Sequence, residues 1–204
     1  MKYDSVLLVT FGGPTPGCCQ QYDGDACPGE AYCFVKGIVG PAKSQIERIK
    51  DISAHYIKLG GFSPFNELTF GQAVALENTL KKRGLPLPVY AGFRHWNPYL
   101  KEVIAEMARK GHRKILGIIM APHQSKVSWE WYQRTVKKGV EAIEGEKPTV
   151  DYLDPWYTHN GYVSAIAEII KTASGGKLER AELVFTAHAI PQSAADTSPY
   201  TQQF

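Results

Sequence analysis

The chain has 204 residues, 44% hydrophobic and 21% charged, an ordinary globular composition with room for one large domain or two small ones. A formal net charge of +3 with no lysine–arginine cluster argues against a nucleic-acid partner, and no apolar run approaches the ~18 residues of a membrane span. The run Val6-Leu7-Leu8-Val9 is too short for a signal peptide's apolar stretch, so the expected compartment is the cytoplasm.

Strand and helix signals alternate along the chain. Residues 5–11 read as a buried strand closed by Gly12-Gly13-Pro14, and 15–41, rich in Gly, Pro and Cys, as a long loop with one short helix at most. Ile46, Ile49, Ile52 and Ile57 mark a helix over 42–59 that Gly60-Gly61 ends, and a second helix runs over 67–83. A strand is expected at 88–93, then a helix over 97–110 with Asn97 as cap and Pro98 in its first position. There follow a strand at 114–120, a helix at 128–143 and a strand at 149–153. A helix at 160–172 should turn Ile166, Ile169 and Ile170 inward, and a last strand is expected at 182–187. Repeated β-then-α units imply an α/β fold with parallel sheets flanked by helices. Glu146-Lys147-Pro148 is the expected hinge between a first domain, 1–147, and the start of a second, 148–204.

Ligands of open parallel sheets bind where strands end at their carboxyl edge. The expected exits there carry Thr10-Phe11-Gly12-Gly13-Pro14, Arg94-His95-Trp96, Ala121-Pro122-His123-Gln124-Ser125 and Thr186-Ala187-His188-Ala189-Ile190-Pro191. A single histidine at a strand end is commonly a turn residue, but His95, His123 and His188 on one rim suit metal handling or proton transfer. Phe62, Phe65, Trp96, Tyr99, Trp129, Trp131, Tyr132, Trp156 and Tyr157 lie nearby, some of them core residues, and together they fit a flat, apolar, aromatic ligand. No G-x-G-x-x-G, G-K-[ST], G-x-S-x-G or H-E-x-x-H motif occurs, which disfavours nucleotide binding, an α/β-hydrolase and a hydrolytic zinc site.

Five collinear pieces resemble the ferrochelatase family: Leu7 to Pro14; Gly60-Gly61-Phe62-Ser63-Pro64; Tyr90 through Pro98; Ala121-Pro122-His123 with Ser125 and Tyr132; and Phe185 through Pro191 with Ser198-Pro199-Tyr200. The resemblance implies a chelatase-like fold of two Rossmann-like lobes, the second incomplete here, with a porphyrin bent in the cleft between them. It implies a lyase of haem biosynthesis that inserts Fe²⁺, a substrate, into protoporphyrin IX or coproporphyrin III without an organic cofactor. His188 would be the catalytic base or iron ligand, and His95 a residue of metal delivery. His55, Tyr56, Ser63, Arg94 and Tyr132 would contact the porphyrin. The alternatives are a cobalt or nickel chelatase of another tetrapyrrole and a non-catalytic porphyrin carrier.

Within the resemblance, His55 stands where coproporphyrin-type enzymes usually have arginine, and Thr15 where some carry an iron-ligating tyrosine. Family members continue past Phe204 to an acidic residue facing the histidine, so the chain reads as a fragment, inactive by itself. Some members hold a [2Fe–2S] cluster on four cysteines. Cys18, Cys19, Cys27 and Cys33 could hold one, or Zn²⁺, but their spacing matches no standard pattern and adjacent cysteines rarely share a metal cleanly; incidental thiols are the favoured reading.

Overall fold

The computed structural model describes residues 2–17 and 28–204. β1 (Ser5–Thr10), β2 (Val89–Phe93), β3 (Lys114–Ile119) and β4 (Thr149–Tyr152) form one parallel sheet in the order β2-β1-β3-β4. β1 lies between two parallel neighbours, Leu8 opposite Ala91 on one side and Ile118 on the other, and all six of its residues are buried. Helices on both faces explain why this strand is an unbroken apolar run rather than an alternating one.

On one face α4 (Leu100–Arg109) and α5 (Trp131–Glu141) pack against the sheet. Leu100, Val103, Ile104 and Met107 form a stripe of helical period that meets Leu7, Val9, Ile115 and Ile119. Gly139 permits the close approach of these helices, since a Cβ there would stand 3.1 Å from Ile104 Cδ1 and 3.3 Å from Lys101 Cα. On the other face α3 (Phe65–Lys82) packs Ala73, Leu76 and Leu80 near Val6, Leu8 and Ala91. A third cluster joins α1 (Glu30–Val39) and α2 (Ile46–Lys58) through Cys33, Phe34, Val35 and Ile49 to Trp96.

Several elements depart from expectation. The stretch read as a long loop with one short helix at most contains ten-residue α1, with Ala31, Cys33, Phe34 and Val35 buried. α4 begins two residues after Pro98, behind Tyr99, whose N–H donates to the Glu102 carboxylate at 3.0 Å. Asn97 therefore does not cap the helix. Proline disfavours helical backbone in the residue before it, and the Pro98 carbonyl is already accepting the Phe93 N–H at 3.0 Å. Residues 126–130 form a wide π turn ahead of α5. β4 follows Glu146-Lys147-Pro148 and pairs with β3 from Lys114–Thr149 to Gly117–Tyr152, so the sheet runs past the expected hinge.

Beyond β4 the expectations fare worse. α6 (Asn160–Ala173) forms, but none of its residues is buried, and Ile169 is 63% exposed. Its isoleucine face borders open space instead of packing on the sheet. Residues 182–187 are not a strand; Leu183, Val184 and Phe185 are exposed, because a lone extended segment has no ladder to satisfy its backbone. Among the described residues no helix is long and apolar enough to cross a membrane.

At the amino-terminal edge of the sheet, one Asp4 carboxylate oxygen accepts the N–H groups of Arg113 at 2.7 Å and Lys114 at 2.9 Å. Burial pushes the Asp4 pKa up, but these bonds, the Ser5 hydroxyl and His112 outweigh it and hold the group below the usual carboxylate range. Asp4→Ala should cost about 1–2 kcal/mol in denaturant unfolding, since two backbone donors lose their acceptor. An unchanged unfolding midpoint would show that water replaces the carboxylate without loss.

Candidate functional site

The strand order places the topological switch between β1 and β3, where successive connections depart to opposite sides and a crevice opens at the carboxyl ends. A cavity of about 640 Å³ lies at that point. Thr10 and Phe11 leave β1 into it and Met120, Ala121 and Pro122 leave β3 into it, while Phe65, Leu68 and Gln72 from α3 and Tyr162, Ile166 and Ile169 from α6 form its walls. Tyr132 and Trp156 complete a lining that is largely apolar and aromatic. Ile166 and Ile169, expected to face inward, thus line this cavity.

The exit of β2 is bonded to that of β1. The Arg94 and His95 N–H groups donate to the Thr10 and Phe11 carbonyls, each at 2.9 Å, and the His95 ring packs on Phe11 with centroids 4.5 Å apart. Burial, reinforced by the Arg94 charge, lowers the His95 pKa to about 4, so its imidazole is neutral at physiological pH. Arg94 lies over the Trp131 ring at 5.1 Å and pairs with no carboxylate among the described residues; burial lowers its pKa, and Tyr132 opposes the shift. Burial pushes the Tyr132 phenol up to about 12 against the pull of Arg94. The rim therefore offers a neutral imidazole with a free lone pair, a guanidinium and a neutral phenol. The imidazole can ligate a borderline metal ion, and the guanidinium beside it can pair with an anionic ligand.

Ser63 is held beside the β1 exit. Its N–H donates to the Pro14 carbonyl at 2.8 Å and its hydroxyl accepts the Phe65 N–H at 3.3 Å. Gly13 is required by this approach, because a Cβ there would come within 2.8 Å of the Ser63 Cβ. Thr15 accepts the Trp96 indole N–H at 2.7 Å, which gives its hydroxyl a structural use. Tyr56 is half-buried against Phe34, with centroids 5.6 Å apart, and Phe34 meets both Phe11 and Trp96 edge-on. His55, its neighbour on α2, is exposed.

The structure thus brings together Arg94, His95 and Tyr132, with Ser63 and Tyr56 attached through neighbouring contacts. His188 is not joined to them. It lies in the exposed segment after residue 180, where its carbonyl accepts the Tyr200 hydroxyl at 3.4 Å. The Tyr200 ring stands 6.3 Å from that of His123, with Tyr157 and Phe204 around the same imidazole, whose pKa burial lowers. Trp96 and Trp129 are buried core aromatics, whereas Phe65, Trp156 and the largely buried Tyr132 reach the cavity.

Among the described residues no three or more His, Cys, Asp or Glu side chains converge as a metal cage. Cys33 is buried beside Phe34 and Ile49; Cys18, Cys19 and Cys27 lie outside the described residues. Sequence reasoning missed Asn66, buried between the β1 and β2 exits. An asparagine two residues after Ser63-Pro64 was a readable sign of a polar role in the first turn of a helix.

A family model described as Ferrochelatase matches residues 3–204. The chain is 34% identical to the coproporphyrin III ferrochelatase of Streptomyces griseus over 96% of its own length and 51% of that protein's. It is 31% identical to the coproporphyrin III ferrochelatase of Streptomyces coelicolor, covering 96% and 51% of the two chains. To the ferrochelatase of Rhodopirellula baltica it is 28% identical, over 98% and 55%. The chain spans about half the length of the curated relatives it matches.

The lowered pKa of His95 has a stability consequence. On acidification the unfolded chain, with an ordinary imidazole near 6.5, takes up a proton before the folded one, so stability falls as pH drops from 6.5 toward about 4. His95→Gln cannot take that proton and should lose less melting temperature than the parent between about pH 7 and about pH 5. Parallel losses in the two proteins would mean that the imidazole is solvated and titrates normally.

Proposed function

The chain belongs to the ferrochelatase family, and from that membership we propose that the protein inserts Fe²⁺ into a porphyrin in haem synthesis, releasing both pyrrole protons. The observation that carries the reading is the family match across nearly the whole chain, joined to an aromatic cavity at the topological switch of the sheet. The names of the relatives support coproporphyrin III as the porphyrin.

The chemistry asks for a flat apolar surface, polar contacts for peripheral carboxylates, a ligand for the arriving ion and a base for the departing protons. Phe11, Phe65 and Trp156 supply apolar surface. Arg94, as a guanidinium without a carboxylate partner among the described residues, suits a propionate, with Tyr132, Ser63, Tyr56 and His55 as further contacts. His95 stays neutral far below physiological pH and so keeps a lone pair for Fe²⁺, the form needed to replace ion-bound water. His188, on an exposed segment, is the proposed base or second iron ligand: each of the two pyrrole N–H bonds breaks, its proton passing to imidazole or water and its electron pair to the N–Fe bond that replaces it. Binding the macrocycle in a bent form would expose the nitrogen lone pairs and lower the barrier.

Anaerobic incubation of the full-length protein with Fe²⁺ and either porphyrin, followed by the change from free-base to metalloporphyrin spectrum, tests the reading. Insertion faster with coproporphyrin III than with protoporphyrin IX is expected; binding of neither porphyrin removes the proposal. His188→Ala should abolish insertion while porphyrin still binds, and near-normal turnover would withdraw its role. Ser63→Ala and Tyr132→Phe each remove one polar contact of about 1 kcal/mol and should raise KM several-fold with little change in kcat. A halted turnover at unchanged KM would move them into the chemical step.

A further inference from the structure

Asn66, in the first turn of α3, is only 3% exposed. Its Oδ1 accepts the Gly13 N–H at 2.8 Å, and its Nδ2 donates to the Gly13 carbonyl at 3.2 Å and the Asn97 carbonyl at 3.5 Å. Gly13 and Asn97 lie on the loops that leave β1 and β2, outside any regular ladder, and the buried amide of Asn66 hydrogen-bonds to the backbone of both.

We propose that Asn66 is a positioning residue of the cleft: it sets the spacing between the β1 exit, which carries Phe11 and Thr15, and the β2 exit, which carries Arg94 and His95, and thereby governs porphyrin affinity. The inference rests on the porphyrin reading above. The roots of the two loops are bonded without Asn66, through Arg94 to Thr10 and His95 to Phe11. Asn66 reaches further out, at residues 13 and 97, and Gly13 is there in close contact with Ser63. Losing the amide loosens the outer rim while the sheet beneath keeps its ladders. Binding therefore suffers more than folding.

The test compares the full-length protein with Asn66→Ala and Asn66→Asp by amide hydrogen exchange without ligand and by steady-state iron insertion at varied porphyrin. Aspartate keeps the shape and the acceptor for Gly13 but turns a carboxylate oxygen toward the Gly13 and Asn97 carbonyls, so it breaks the bridge without opening a cavity. Expected are faster exchange in residues 12–15 and 94–98 with 5–10 unchanged, and a porphyrin KM raised roughly tenfold in Asn66→Ala at a kcat within about threefold. Asn66→Asp should raise KM at least as much. Unaltered exchange at the rim, or an unaltered KM beside a lowered melting temperature, overturns the proposal and leaves Asn66 a purely structural residue. If the unmutated protein takes up no porphyrin while rim exchange still rises in the variants, the functional reading fails and the coupling of the loops stands.

Discussion

The burial of β1 on both faces and both edges is the constraint on which the other elements depend. All six of its residues are removed from water, so its backbone groups must be satisfied by β2 and β3, and its side chains by helices above and below. With parallel neighbours on both sides, the three strand exits emerge at the same edge. The connections then diverge there, and the crevice follows from the order β2-β1-β3-β4 without any further design. The amino-terminal edge, by contrast, is tied by Asp4 to the start of β3.

At the rim the same burial sets protonation states. It keeps His95 neutral and Tyr132 protonated, with Arg94 reinforcing the first effect and opposing the second. Burial, with the Arg94 charge behind it, thus keeps the neighbouring imidazole neutral, while the guanidinium pairs with no carboxylate among the described residues. Aromatic contacts stiffen the arrangement: Phe11 bridges His95 and Phe34, and Phe34 touches Trp96 and Tyr56. This places α1, absent from the sequence expectation as a full helix, behind the rim as its support.

The part of the chain after β4 obeys a different balance. α6 has a good helical pattern yet buries no residue, and the Leu183-Val184-Phe185 run has strand composition without a strand. Local preference suffices for a helix, whose hydrogen bonds are internal, but an extended segment needs a neighbour. His188 inherits this condition: it is set by a backbone bond to Tyr200 rather than by a sheet.

What the amino-acid order determined by itself is the α/β class, the positions of β1 to β4 and the placing of His95, His123 and several aromatics just past strand ends, though not the strand expected before His188, because apolar period and glycine–proline punctuation are local signals. The signatures around Gly12, Ser63, His95 and His188 carried the family resemblance as well. Only the tertiary structure decided that β4 completes the first sheet, that Asn97 is bonded by Asn66 instead of capping α4, and that Ile166 and Ile169 line a cavity. Each of these depends on what another part of the chain presents across space, and a pattern of neighbours in sequence holds no record of that.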